Sequence, residues 1–167
     1  MRLIFIRHGD PDYANDNLTE KGKREVECLT RRTCKWENIT QIYCSTLGRA
    51  KATAKPTLDK LNKTAIYYDW LQEFPTWHED SNGEKLRTWD IMPEVYCANP
   101  DFLDKDNWCK NDYMGKMIPE RFEQVCKGID KVLESYGYTR NANGTYSVKN
   151  PVPNHNWNEP IEKYHLK

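Results

Sequence analysis

The sequence predicts an α/β fold, a three-layer αβα sandwich with a mainly parallel central sheet. Short apolar segments at residues 3–6, 41–44 and 65–68 alternate with two stretches that carry apolar residues at helical spacing. Strand, helix, strand, helix, strand in this order is typical of βαβ units, whose strands run parallel. A length of 167 residues suits one domain with a sizeable core, so we predict a single domain over residues 1–167.

The overall composition argues against several classes of protein. The 25 basic and 25 acidic residues cancel, so no basic excess favours nucleic-acid binding. No apolar run is long enough for a signal peptide or a membrane span, which favours a cytoplasmic protein without a membrane partner. The six cysteines are scattered and include no Cys-x-x-Cys pair, which argues against a zinc or disulfide framework.

The end of the first predicted strand carries residues suited to phosphate chemistry. Residues 3–6 run directly into Arg7, His8 and Gly9, and α/β sheets place their chemistry just beyond the carboxyl ends of parallel strands. The planar guanidinium of arginine matches phosphate oxygens, and an imidazole can attack phosphorus. Gly9 has no Cβ, so another group can approach its backbone closely. We therefore expect a phosphate ester to bind beside His8.

Turn and cap signals predict the next two helices. Residues 10–17 are polar and turn-rich, and Thr19 then caps a helix whose first turn holds Glu20. The second strand turns at residues 45–54 into an alanine-rich helix, which we expect to bend or end near Pro56. These two helices separate the three predicted strands.

Arg49 lies in the first turn of this second helix. Free backbone N–H groups and the helix dipole favour an anion there, and Arg7 and Arg49 follow two strand ends on the same rim of the sheet. An arginine in a first helical turn is by itself more often a solvated side chain. Its pairing with Arg7 favours a phosphate site instead.

Residues 74–118 show no regular periodicity but contain many aromatic residues. A loop region of this length inside a domain is usually functional or mobile. We interpret it as a partly helical insertion or lid that covers the site. The alternative is that its aromatic side chains form only the core of the insertion itself.

The chain after the insertion carries clearer signals. An amphipathic helix begins at Pro119 and ends before Gly137. Asn143-Gly144 marks a short hairpin. From about residue 150 the chain becomes rich in proline, asparagine and charge, and we predict a divergent tail without further regular structure.

Three segments together resemble the histidine phosphatase superfamily, also called phosphoglycerate-mutase-like. The segments are Arg7-His8-Gly9, residues 45–54 and Leu71-Gln72-Glu73-Phe74. The resemblance includes small bacterial histidine phosphatases; it is strong from residue 1 to about 75, looser to about 155 and absent after that. It implies a phosphomonoester hydrolase that needs no metal or organic cofactor.

The resemblance also implies a role for each site residue. His8 attacks phosphorus and becomes phosphohistidine, and water then releases phosphate. Arg7 and Arg49 neutralise the charge on the phosphate oxygens. Glu73 protonates the departing alcohol and later activates water, with Glu79 as a weaker rival. The expected partner is a small-molecule phosphate ester or a phosphate ion.

One feature of the family is not found in the sequence. Family members complete the site with a second histidine at the end of a late hydrophobic strand, which a final helix follows. His78, His155 and His165 do not lie in such a strand. The chain therefore resembles a family member truncated at its C-terminus. We expect an exposed sheet edge, and with it a homo-oligomer, a swapped assembly or marginal stability.

Two functional hypotheses follow from these residues. The first is a phosphomonoester hydrolase that acts through a phosphohistidine on His8. Because the second histidine is not found, we expect its rate to be lower than in a complete family member. The second is a non-catalytic phosphate-binding or interaction protein derived from the family, which uses Arg7, Arg49 and His8. A mutase fits less well, because residues 10–22 are shorter than the mutase loop. The identity of the substrate does not follow from the sequence.

Overall fold

The chain after His8 turns back on itself before its first helix. The computed structural model describes residues 2–36, 38–74, 77–79, 83, 85–87, 91–111 and 118–149. β1 (Pro11–Asp12) pairs antiparallel with β2 (Asn17–Leu18), and α1 (Glu20–Thr33) follows. The Thr19 hydroxyl accepts a hydrogen bond from the backbone N–H of Gly22 at 3.1 Å. The predicted helix cap at Thr19 is therefore confirmed.

The second strand, second helix and third strand form the predicted βαβ unit. β3 (Tyr43–Ser45) runs parallel to β4 (Ile66–Tyr68), and α2 (Gly48–Leu61) connects them. The carboxyl ends of parallel strands meet at one edge of a sheet. The loops that follow β3 and β4 therefore come together, and these loops carry two of the predicted site residues.

The sequence predicts that the second helix bends or ends near Pro56, but the helix does not end there. α2 continues to Leu61, and Asn62 closes it with a left-handed φ of 49°. Thr53 and Thr57 are buried on the same helix. This tertiary packing outweighs the one backbone hydrogen bond that a proline removes.

Hydroxyl groups meet where α1 packs against α2. The hydroxyl oxygens of Thr33 and Thr57 lie 2.9 Å apart, and Thr57 donates to Thr30 at 3.4 Å. Thr30 and Thr33 are only 3% and 2% exposed. Thr33 also bonds to the carbonyl oxygen of Thr30 at 3.2 Å. Because a buried hydroxyl without a partner is destabilising, these bonds allow three threonines to lie in the interface.

Residues 74–118 contain more regular structure than the sequence predicts. β5 (Trp77–Glu79) and β6 (Lys85–Arg87) pair antiparallel, and α3 (Pro93–Ala98) follows. Two 3₁₀ turns come next, at Pro100–Leu103 and Trp108–Lys110. The prediction of a partly helical segment is correct. The hairpin was not predicted because strands of three residues are too short to show a periodicity.

The described part of this insertion shares a small core with the helix that follows it. Phe102, Cys109 and Ile118 are buried together. The ring of Trp108 packs edge-on against Phe122 with the ring centroids 5.0 Å apart. These contacts favour the interpretation that the aromatic residues stabilise the insertion. Its role as a lid stays a prediction.

The described residues divide into two compact units. The first is Phe5–Gly128, and residues 2–4 with 129–149 belong to the second. The prediction of a single domain over residues 1–167 stays a prediction. Among the helices of the described segments, none is long and apolar enough to cross a membrane.

The last described elements are those that the sequence predicts. α4 (Ile118–Ser135) is followed by β7 (Tyr138–Arg140) and β8 (Tyr146–Val148), which pair antiparallel. Gly137 and Gly144 both have a φ of 83°, as the helix stop and the hairpin turn require. The tail from about residue 150 lies outside the described residues.

Two features of the predicted fold are not formed. Residues 3–6 carry no strand, and the Phe5 side chain is 79% exposed. An apolar run meets the sequence criterion for a strand, but a strand also needs a hydrogen-bonded neighbour. The described residues form four two-stranded sheets, of which the β3–β4 sheet alone is parallel. The α/β class is therefore confirmed, and the sandwich with a mainly parallel central sheet is not.

Replacing Gly22 with alanine should destabilise the protein. A Cβ at this position would lie 2.3 Å from the carbonyl oxygen of Asp10, so α1 must shift away from the segment that follows His8. We expect the free energy of unfolding in urea to fall by about 1–3 kcal/mol, as for other overpacked sites. Arg24→Ala, at an exposed position of the same helix, should change it by less than about 0.5 kcal/mol. Equal stability of Gly22→Ala and the wild type would contradict this tight contact.

Candidate active site

The imidazole of His8 is held with one nitrogen engaged and the other unpaired. Nδ1 lies 2.7 Å from the carbonyl oxygen of Gly9. A carbonyl oxygen can only accept a hydrogen bond, so Nδ1 carries the proton. In a neutral imidazole the lone pair is then on Nε2. Nε2 is buried and has no hydrogen-bond partner among the described residues, so it is the atom available for chemistry.

The backbone beside His8 is bonded to α2. The N–H of Gly9 donates to the hydroxyl oxygen of Thr53 at 3.1 Å, and the Thr53 hydroxyl donates to the carbonyl oxygen of Arg49 at 2.8 Å. A Cβ at Gly9 would lie 3.0 Å from the carbonyl oxygen of Gly22. The close approach expected at Gly9 is thus made by α1, and Gly9 is the residue that lets helix and site segment meet.

The guanidinium of Arg49 lies between two carboxylates. Nη1 donates to Oδ1 of Asp16 and Nη2 to Oε2 of Glu73, both at 2.9 Å. The Tyr13 ring centroid lies 5.4 Å from the guanidinium carbon. The side chain is only 11% exposed, and its Nε is buried without a partner among the described residues. Arg49 is therefore not a solvated first-turn arginine.

Asp16 is a site residue that the sequence analysis did not identify. Its carboxylate accepts hydrogen bonds from the backbone N–H groups of Gly48 and Arg49 at 2.5 and 3.4 Å. An anion does lie at the start of α2, as its N–H groups favour, but it is the carboxylate of Asp16 that binds two of them. Burial acts to raise the pKa of Asp16, but hydrogen bonds from Gly48 and Arg49 outweigh it and lower this pKa below the ordinary 3.8.

Glu73 links the guanidinium to the imidazole. Its Oε1 lies 3.9 Å from Nε2 of His8, while its Oε2 is bonded to Arg49. The segment that carries Glu73 is held against the loop after β3: Gln72 donates to the Thr46 hydroxyl, and that hydroxyl donates to Asp69, each at 2.6 Å. The loops after the two parallel strands thus present Arg49 and Glu73 side by side.

Comparison with known proteins now assigns the chain to a family. A sequence model of the histidine phosphatase superfamily (branch 1) matches residues 3–136. The chain belongs to the histidine phosphatase superfamily. It is also similar to a protein of Schizosaccharomyces pombe that is described as a probable phosphatase, with 30% identity over 83 residues. That match covers 44% of this chain and 39% of the length of the yeast protein. No solved structure matches the chain significantly.

The structure of this histidine phosphatase relative brings together three of the four predicted site residues. His8, Arg49 and Glu73 form a connected group. Arg7 is exposed, and it makes no ion pair within the described part of the chain. The backbone of the rival Glu79 lies in β5, and its side chain lies outside the described part. The proposed roles of these residues stay predictions.

Among the described side chains of this family member, the site contains one histidine, His8. His78 lies on β5 with its side chain outside the described part, and His155 and His165 lie outside the described residues altogether. Within the described ranges, no group of three or more His, Cys, Asp or Glu is arranged to hold a metal ion. The chemistry of the described site therefore rests on one imidazole, one guanidinium and two carboxylates.

Removing the Thr53 hydroxyl should destabilise the segment that carries His8. Thr53→Val keeps the shape of the side chain but leaves the Gly9 N–H without its partner. We expect the free energy of unfolding in urea to fall by about 1–3 kcal/mol, the usual effect of an unsatisfied buried donor. Thr53→Ser keeps the hydroxyl and is the matched control. A greater loss for Thr53→Ser than for Thr53→Val would contradict the role of this hydrogen bond.

Proposed function

We propose that the protein is a phosphomonoester hydrolase that forms a phosphohistidine at His8. The observation that carries the proposal is that Nε2 of His8 and Nε of Arg49 are buried and have no hydrogen-bond partner among the described residues. Buried polar atoms in proteins are normally hydrogen-bonded, and exceptions indicate a functional role or a missing ligand. A tetrahedral phosphate can accept from the guanidinium while its phosphorus faces the imidazole. Membership of the family and the similarity to a probable phosphatase support this proposal.

In the first half of the reaction, the Nε2 lone pair of His8 attacks phosphorus in line with the bond to the leaving oxygen. A P–N bond forms and the P–O bond to the leaving group breaks. Glu73, in its protonated form, gives its proton to the departing alkoxide, so an alcohol leaves. The 3.9 Å separation of Glu73 Oε1 from Nε2 suits this role, because the carboxyl then lies within reach of an oxygen bonded to the attacked phosphorus.

In the second half, water regenerates the free enzyme. Glu73, now a carboxylate, accepts a proton from water while the water oxygen attacks phosphorus. A P–O bond forms, the P–N bond breaks and inorganic phosphate leaves. His8 returns to a neutral imidazole, and its Nδ1 hydrogen bond to the Gly9 carbonyl keeps the tautomer that presents Nε2. Water and phosphate ester are consumed, and no metal or cofactor takes part in the proposed steps.

Arg49 supplies the main electrostatic stabilisation in this scheme. Nη1 is held by Asp16, so the edge formed by Nε and Nη2 is the part of the guanidinium that turns to phosphate. Two parallel N–H groups on a planar fork match two phosphate oxygens. We assign Arg7 a second phosphate contact, for which its exposed side chain must fold over the bound ester. The proposed partner is a small-molecule phosphate ester or phosphate ion.

Glu73 must release Arg49 before phosphate can bind. Its Oε2 occupies Nη2, and its Oε1 lies beside Nε2 of His8. A carboxylate is a planar anion with two acceptor oxygens, so it takes the place of two phosphate oxygens in the empty site. The Glu73 side chain is 38% exposed, so its carboxyl can rotate off Nη2 towards the solvent side of the site, where the leaving oxygen of the ester lies.

His8→Ala should abolish turnover of a generic aryl phosphate. We expect the rate to fall by about 10³-fold or more, since no other group replaces the nucleophile. Wild-type enzyme quenched during turnover should carry acid-labile phosphate, and His8→Ala should carry none. The exposed change Arg24→Ala is the control for expression and handling. Equal rates for wild type and His8→Ala would reject the hydrolase and leave the non-catalytic phosphate-binding protein, which phosphate calorimetry then tests.

Glu73→Gln should separate catalysis from phosphate binding. The amide cannot transfer the proton, so we expect turnover to fall by about 10²–10⁴-fold. It also removes a negative charge from the phosphate site, so inorganic phosphate should bind about tenfold more tightly in calorimetry. Glu27→Gln, an exposed change on α1, is the charge-matched control. Weaker phosphate binding by Glu73→Gln would contradict the competition between Glu73 and phosphate for Arg49.

A further inference from the structure

We propose that Asp16 is a positioning residue for Arg49, which holds the guanidinium in place while its other edge exchanges Glu73 for phosphate. The proposal deepens the proposed function, since it concerns the same phosphate site. Asp16 touches no reacting atom in this scheme. It acts through the orientation of Arg49 alone.

One carboxylate binds Arg49 at both ends of the residue. Oδ1 of Asp16 accepts from the backbone N–H of Arg49 at 3.4 Å and from its Nη1 at 2.9 Å. Leu47, the first residue at the helix start, makes no side-chain capping bond, and Asp16 supplies the cap from 32 residues away. The start of α2 and the guanidinium that extends from it are therefore fixed relative to each other.

The backbone on both sides of this contact is adapted to it. Asp16 has a left-handed φ of 44°, a conformation that aspartate tolerates better than most residues but that is still unfavourable. A Cβ at Gly48 would lie 2.1 Å from the carbonyl oxygen of Asp16. Such conformations persist only where the surrounding contacts determine them, so the hairpin and the helix start are built around this pair.

The two carboxylates bind different nitrogens of the guanidinium. Asp16 takes Nη1 and Glu73 takes Nη2, while Nε has no partner among the described residues. When Glu73 moves away to admit phosphate, a flexible arginine without a second anchor would follow it. With Nη1 held, the edge formed by Nη2 and Nε stays in place and phosphate meets a preformed fork.

Asp16→Asn is the variant that tests this role. Asparagine also tolerates a left-handed φ and can still accept a bond from Gly48, but it holds Arg49 without a charge. We expect the Kd for inorganic phosphate and the KM for an aryl phosphate to rise about tenfold, because the loss of the charge-assisted hydrogen bond to Nη1 lets the fork turn away from phosphate. Unlike Glu73, Asp16 does not occupy the phosphate position, so this loss outweighs the gain from removing its negative charge. The kcat should fall as well, because Arg49 also stabilises the transition state, but by less than in Arg49→Lys. Asp12→Asn, in the same hairpin, is the matched control and should change neither constant.

Repeating the Asp16→Asn substitution in the Arg49→Lys variant distinguishes positioning of the guanidinium from simple helix capping. If Asp16 acts through the guanidinium, adding Asp16→Asn to Arg49→Lys should change the phosphate Kd by less than about twofold. If Asp16 only caps α2, Asp16→Asn should weaken phosphate binding equally in the wild type and in Arg49→Lys, and it should lower the urea midpoint in both. That second pattern overturns the proposal, as does an Asp16→Asn protein with wild-type Kd and KM.

The same measurements separate this proposal from the proposed function. Phosphate binding without His8-dependent turnover rejects the hydrolase, and the Kd of Asp16→Asn still decides the role of Asp16. Normal turnover with an unchanged Kd in Asp16→Asn rejects the positioning role and leaves the hydrolase in place. A wild-type protein that binds no inorganic phosphate overturns both.

Discussion

A buried guanidinium held by two carboxylates is the interaction on which the arrangement of this site depends. A charge removed from water is strongly unfavourable unless opposite charges and hydrogen bonds compensate it. Arg49 comes from the start of α2, Asp16 from the hairpin before α1 and Glu73 from the segment after β4. These three segments are distant in the sequence, so the requirement to neutralise one arginine draws them together.

The same interaction determines the charge balance of the site when no ligand is bound. The three groups of this cluster carry one positive and two negative formal charges, so the charge of the guanidinium is already compensated in the empty site. His8 is adjacent to the cluster, and its imidazole is held by the Gly9 carbonyl. The Gly9 N–H bonds to the Thr53 hydroxyl, which itself donates to the Arg49 carbonyl. The imidazole and the guanidinium are therefore both positioned by the first turns of α2.

The site was predictable from the sequence where local signals suffice. His8, Arg49 and Glu73 were predicted from their residue types at strand ends and from the resemblance to the family, and the structure brings them together. Asp16 was not, because the loop over residues 10–17 contains several similar polar residues. In the structure, Asp16 has a left-handed φ and faces Arg49, which the residue types of the loop alone do not indicate.

The fold shows the same division between local and long-range information. The cap at Thr19, the helix end at Gly137 and the turn at Gly144 depend on residues next to them in the sequence. The predicted helix boundaries and the hairpin turn form at these positions. A strand depends on a partner elsewhere in the chain, which explains why residues 3–6 were predicted as a strand and do not form one. The parallel β3–β4 pair was predictable because a helix of suitable length connects it.

The threonine contact between the first two helices restricts how α2 can be oriented. Leucine side chains would let two helices slide or rotate by small amounts at little cost, whereas hydroxyl groups bond only in a narrow range of distance and angle. Thr57 is engaged by Thr30 and Thr33 at once, so it locks the rotation of α2 about its own axis. Arg49 and Thr53 lie two turns and one turn before Thr57 on the same helix. The rotation of α2 that the three threonines determine therefore also determines the direction in which these two side chains point.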